Sequence, residues 1–239
     1  DLAAARALMN DDFVYEDRGK RALTSGGVEL WFESIEFYQS LGGQRTRERI
    51  ATRGDRIEVN RVTWAGAPDG AEYEIEFIVL FEVDAEGKLR AAIRFDPEDR
   101  AAAFEEADTR FAAGEAAAIG GQAPFASLTG TSNRHDWEMM RRCFTDDVFI
   151  RDHRTIGIGA ETSEELVASA RAMAELSPDA TVEIFRLLAW NRLGQVAVYR
   201  MFGSALGGGG PLENFAITVT LTRGDRVHRQ ELFDIDAAD

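Results

Sequence analysis

Apolar and polar positions along this chain switch period in a fixed order, and the order occurs twice. In the first half, residues 2–9 read as the end of a helix and residues 12–16 as a short strand. The segment VELWFESIEFYQSL at 28–41 carries apolar residues at helical spacing. Alternation then predicts strands at 46–53, 56–64, 72–83 and 88–95, the last two joined by the turn Asp84-Ala85-Glu86-Gly87. Asp96-Pro97-Glu98-Asp99 follows as a helix start. Asp96 suits the N-cap, Pro97 the first helical position, and the two acids the positive end of the helix dipole. That helix should run to about Ala118 and end at GGQAP, 120–124.

The second half repeats the plan. A helix is predicted at about 134–144, a strand at 147–151, and a helix at 163–176 with Thr162 and Glu165 at capping-box spacing. Strands follow at 181–189, 195–203, 213–222 and 226–233, with the glycine run 207–210 as a flexible hairpin loop. Three blocks recur in the same order. NDDFVYEDR at 10–18 matches TDDVFIRDH at 145–153, placing Asp17 with Asp152. IEVNRVT at 57–63 matches VAVYRMF at 196–202, placing Arg61 with Arg200. FIVLFEVDAEGKLRAAIRFD at 77–96 matches FAITVTLTRGDRVHRQELFD at 215–234 without a gap, placing Asp96 with Asp234. The chain therefore reads as a tandem duplication, with domains at 1–119 and 120–239. Each is expected to be an α+β unit with helices on one face of a mainly antiparallel sheet. The chain opens at Asp1, without Met and already inside a helical pattern, so its natural start is expected upstream.

Composition changes this picture little. Fifteen Phe and four Trp supply large side chains for two cores. A net charge of −15 repels phosphate backbones and anionic lipid, so no nucleic-acid or membrane partner is expected through the general surface. The arginine-dense run 45–56 reads as a solvated strand edge. Cys143 is alone, which excludes an intrachain disulfide, suits a cytoplasmic location, and reads as a packed thiol. No apolar run reaches the length of a membrane span, and no signal peptide is visible. Three scattered His and one Cys have no metal-ligand spacing. Phosphate loops, dinucleotide fingerprints and nucleophile elbows are also missing, so no cofactor is expected.

DDFVYEDR with the closing FDPED, and DDVFIRDHR with the closing LFDID, resemble the nuclear transport factor 2-like superfamily, in particular its SnoaL-like branch. The resemblance covers nearly the whole chain, twice. It implies two cone-shaped domains, each a curved sheet packed against helices (a cystatin-like roll) with a pocket at the open end. Members include ketosteroid isomerases, polyketide cyclases and epoxide hydrolases, and also sensing and assembly domains without chemistry. Fold alone therefore does not select a function.

Three functions stay open at this point. The first is binding of a small, mostly apolar molecule in the second cone, as a sensory or accessory module. The second is a cofactor-independent isomerase, cyclase or hydrolase using acid–base chemistry. The third is a structural pseudo-dimer of the two domains, with a homodimer also open. The catalytic candidates are Asp152 and His153 after the first strand, Arg200, and Glu231. Ligand-binding candidates are Arg229, Phe202, Asp17, Arg61 and Trp64. Strand alternation puts Leu89, Ala91, Ile93 and Phe95 inward, and by equivalence Val227, Arg229, Glu231 and Phe233. A bulge would reverse those faces. Asp96 and Asp234 are read as helix caps, Asp234 being the better functional candidate of the two.

Overall fold

The computed structural model describes residues 2–118, 124–157 and 159–238. The chain divides into two compact units, Asp1–Ala107 and Asp108–Asp239. The domain boundary expected at 119/120, and most of GGQAP, lie outside the described residues.

In the first unit the order is α1 (Leu2–Ala7), β1 (Met9–Asp17), β2 (Thr24–Gly26), α2 (Val28–Ser40), β3 (Gln44–Arg53), β4 (Ile57–Gly66), β5 (Tyr73–Val83) and β6 (Leu89–Phe95). The strands lie in the order β2-β1-β6-β5-β4-β3. All neighbours are antiparallel except β1 and β6, which run parallel. That parallel pair explains why β1 starts at Met9, three residues before the predicted strand. Leu89 N donates to Leu8 O at 2.8 Å, so pairing with β6 begins there. Helical backbone resumes at α3 (Arg100–Phe111) and continues through a π-helical stretch, Ala112–Ala116.

The second unit has α4 (Pro124–Asn133), α5 (Trp137–Arg142), β7 (Phe144–Asp152), α6 (Ser163–Leu176), β8 (Thr181–Asn191), β9 (Gly194–Ser204), β10 (Pro211–Arg223) and β11 (Arg226–Phe233). Its strand order is β8-β9-β10-β11-β7, again with first and last strands parallel. α6 begins with the predicted capping box: Thr162 Oγ1 accepts from Glu165 N, and the Glu165 carboxylate accepts from Thr162 N. The helix predicted at about 134–144 is the shorter α5, and a further helix, α4, precedes it where the sequence pattern predicted none. His135, at φ 55°, turns the chain between them, and Asp136 caps α5 by accepting from Met139 N.

The repeat extends to individual hydrogen bonds. Arg18 N donates to Arg94 O, as His153 N donates to Leu232 O. Gly19 N donates to Asp17 Oδ1, as Arg154 N donates to Asp152 Oδ1. Lys20 N donates to Asp96 Oδ2, as Thr155 N donates to Asp234 Oδ2. Asp96 and Asp234 therefore do not cap helices with their side chains. They tie the loop after the first strand to the end of the last one, where the loop's free amide groups need an acceptor.

Register corrects two alignments. Ile78 pairs with Phe95 and Ile217 with Phe233, so β5 and β10 are equivalent one residue away from the gapless match. The turn absorbs the difference: residues 84–88 separate the paired Val83 and Leu89, whereas 223–226 separate Thr222 and Val227. Through the same ladder Arg61 sits opposite Ile78, and Val198 opposite Ile217. Arg61 is therefore equivalent to Val198, and Arg200 to Thr63. A two-residue slip preserves the face of every side chain, so alternation could not expose it.

The faces themselves are reversed. In β6 the pairing steps from Val83–Leu89 to Glu82–Ala91, leaving Arg90 as a bulge. Beyond it Ala92 and Arg94, not Ala91 and Ile93, turn toward α2 and the core of Phe13, Tyr15, Phe32, Tyr38, Trp64 and Phe77. Ala91, Ile93 and Phe95 are buried on the other face. In β11 the step from Thr222–Val227 to Leu221–Arg229 leaves His228 as the bulge, which turns Gln230 and Leu232 inward. Arg229 and Glu231 point the other way.

Candidate functional site

Both units place an acid–guanidinium pair on the inward face, and they build it differently. In the first unit Asp17, the last residue of β1, meets Arg94 of β6 at 3.2 Å. Arg94 Nη1 also donates to Tyr38 Oη at 2.8 Å and lies 4.1 Å over the Phe77 ring. Burial alone would lower the Arg94 pKa, but Tyr38 and Asp17 outweigh it and raise it. Tyr15 is pushed up, first by burial and then by the Asp17 charge.

In the second unit Leu232 occupies the place of Arg94, and the guanidinium comes from the loop after β7. Arg154 Nε and Nη2 each donate to one oxygen of Asp152 at 2.9 Å. Both side chains are buried, 10% and 3% exposed. The loop closes tightly over the carboxylate. A Cβ at Gly157 would come within 2.6 Å of Asp152 Cγ, so a glycine is needed there.

The two interiors differ most in volume. In the first unit the inward residues Phe77, Val79 and Phe81, with Trp31, Tyr38 and Trp64, leave a void of about 20 Å³. That is room for about one water. The ladder makes Phe77, Val79 and Phe81 equivalent to Ala216, Thr218 and Thr220, and Ile75 to Asn214. Small side chains replace aromatic ones, and the second unit holds a pocket of about 190 Å³. Its walls are mostly apolar, from Leu128, Met140, Leu166, Met173, Met201 and Leu232. Arg154, Gln230, Thr218, Tyr199 and Asn214 supply the polar groups.

The residues singled out from the sequence do not meet in this pocket. Asp152 reaches it through Arg154. His153 stacks on Phe233 at 4.5 Å, and its Nε2 lies 2.8 Å from Glu231, which also binds Arg229 at 2.6 Å. Hydrogen bonding with His153, then with Arg229, holds Glu231 below the usual carboxylate range. None of the three lines the pocket. Arg200 pairs with Glu213 at 2.7 Å and Glu183 at 3.2 Å, with Phe202 4.4 Å beneath its guanidinium. Their neighbours Tyr199 and Met201 face inward instead. Arg61 pairs with Glu48 at 3.2 Å and is partly exposed, while Trp64 lines the small void of the first unit. Of the arginine run, Arg53 is 1% exposed rather than solvated.

Arg154, Gln230, Thr218 and Asn214 were not singled out. Arg154 was readable in DDVFIRDHR as a loop cation beside Asp152. The others needed the bulge and the register.

Cys143 is buried, its thiol donates to Met139 O, and burial pushes its pKa up. Among the described residues, no group of three or more His, Cys, Asp or Glu could hold a metal. No helix among them is long and apolar enough to cross a membrane.

Strand order, the parallel first–last pair, and helices against the inward face define each unit as an α+β roll. The chain matches no family model and no curated protein. Among solved structures it is similar to a candidate polyketide cyclase from Bacillus cereus, with 16% identity, 48% of this chain, 74% of that chain and a TM-score of 0.40. A second is a ketosteroid isomerase-like-fold protein from Catenulispora acidiphila in complex with trimethylamine (15% identity, 47% and 85% covered, TM-score 0.40). A third is an uncharacterised cystatin-fold protein from Novosphingobium aromaticivorans (18% identity, 46% and 93% covered, TM-score 0.36). Each likeness covers about half of this chain and concerns fold, not activity.

Proposed function

We propose that the second unit binds a small, mostly apolar molecule in its pocket, as a binding module rather than through acid–base chemistry. One observation carries this reading. On one shared plan, Ala216 and Thr218 line about 190 Å³ where Phe77 and Val79 fill the first unit. An apolar cavity of roughly 150 Å³ takes up benzene, so this one suits a substituted ring or a short branched chain. The arrangement of the acids and bases argues against catalysis: His153, Glu231 and Arg200 are paired away from the pocket, and Asp152 is held by Arg154.

The five methionines make the test direct. Met140, Met173 and Met201 line the pocket, Met9 lies in the core of the first unit, and Met139 is exposed. With 13C-methyl methionine, small apolar ring compounds should shift the three pocket resonances and leave Met9 and Met139 in place. If a broad set of such compounds shifts none of the three, the reading is overturned.

A further inference from the structure

The pocket contains polar groups that the protein itself leaves unused. Gln230 is 6% exposed, lines the pocket, and its Oε1 has no hydrogen-bond partner among the described residues. Directly across the ladder Thr220 is fully buried with an unpartnered Oγ1. The first unit has Ala92 and Phe81 at these two positions, so neither polar group has a counterpart there. A buried polar group without a partner is destabilising, and that cost is offset when a bound molecule satisfies it.

Arg154 is the second polar group of the pocket, and Asp152 engages its Nε and Nη2. A guanidinium offers five N–H donors, so donors remain for a ligand oxygen. Its charge is already matched at short range by Asp152. A second anion would leave a buried, uncompensated negative charge in a chain of net charge −15. An uncharged acceptor avoids that cost.

We infer, resting on the binding reading above, that this pocket selects an uncharged molecule with a hydroxyl group toward Gln230 and a carbonyl oxygen toward Arg154. A carboxamide both donates and accepts, and so does a hydroxyl, so the match holds whichever way the Gln230 amide is turned. Gln230 and Leu232 are successive inward residues of β11, and Leu232 pairs with Asp152, which holds Arg154. Gln230 and Leu232 are thus two residues, roughly 7 Å, apart along the strand, a spacing that one ring-sized molecule spans.

Titration calorimetry of the whole chain at pH 7.5 tests this with five probes: 4-hydroxyacetophenone, acetophenone, 4-ethylphenol, ethylbenzene and 4-hydroxybenzoate. 4-Hydroxyacetophenone should bind about tenfold more tightly than acetophenone, 4-ethylphenol or the anionic 4-hydroxybenzoate. Gln230→Leu should remove the advantage conferred by the hydroxyl, so that 4-hydroxyacetophenone binds no more tightly than acetophenone. Asp152→Asn with Arg154→Met should remove the advantage conferred by the carbonyl. Equal binding of ethylbenzene and 4-hydroxyacetophenone would overturn the polar selection and leave the apolar pocket standing. Tightest binding of 4-hydroxybenzoate would overturn the preference for an uncharged ligand. Failure of every probe, ethylbenzene included, would overturn the binding reading beneath it.

Discussion

At the scale of single residues, Asp152 and Arg154 show how one requirement can be met in two ways. Each unit needs a carboxylate at the end of its first strand to receive the amide two residues on. A carboxylate buried there needs a cation, and Arg94 and Arg154 supply it from different elements. Moving the cation to the loop lets Leu232 take the strand position, which makes that wall apolar. Asp152→Asn leaves the Arg154 charge buried without its partner. It should cost about 3 kcal/mol of unfolding free energy in urea titration. Adding Arg154→Met should recover much of that loss, because the orphaned charge is then gone. An unchanged midpoint in the single variant would mean the pair is not buried as described.

At the scale of elements, β10 separates the open interior from the filled one. Its inward residues are Asn214, Ala216, Thr218 and Thr220, against Ile75, Phe77, Val79 and Phe81 on β5. Ala216→Phe should fill the pocket, abolish methyl shifts at Met140 and Met201 on ligand addition, and keep the circular dichroism spectrum. The reciprocal Phe77→Ala removes a ring from a packed core and should destabilise the protein by about 3–5 kcal/mol. Retained ligand binding in Ala216→Phe would show that β10 does not shape the pocket. The matched blocks exposed these strands and their equivalence, because a period of two survives duplication. The single bulge residues, Arg90 and His228, reversed the inferred faces, because a bulge changes side-chain direction without changing composition.

At the scale of the whole molecule, ionic pairing sets how stability responds to pH. Glu29, Asp84, Asp147, Glu164, Glu165, Asp179 and Glu231 are all held below the usual carboxylate range by hydrogen bonds from neighbours such as Arg6, Asn10, Arg223 and His153. A depressed folded-state pKa adds stability above the unfolded value, near 4, and that stability is lost as pH falls through the folded value. Tyr15 works in the opposite sense. Its raised pKa adds stability below about 10 that is lost as pH climbs through the folded value. Urea midpoints should therefore be level from pH 6 to 9, fall below about pH 4, and fall again above about pH 10. A midpoint unchanged between pH 7 and pH 3 would contradict this.

Period and repetition are local properties, and the sequence alone determined what depends on them: two α+β units of one plan, most strand limits, and the α6 capping box. It also marked Asp17, Asp152, Asp96 and Asp234 as recurring positions, though it assigned capping to the last two. Their true role joins a loop to a strand some 76 to 79 residues away, a distance no local pattern carries. The open pocket was likewise decided only in three dimensions. Whether a residue faces a cavity depends on bulges and on cross-strand register. Whether a cavity exists depends on the summed volume of side chains brought together from four strands, three helices and the loop after β7. That is why Gln230 and Arg154 line the pocket, while His153, Glu231 and Arg200 find partners elsewhere.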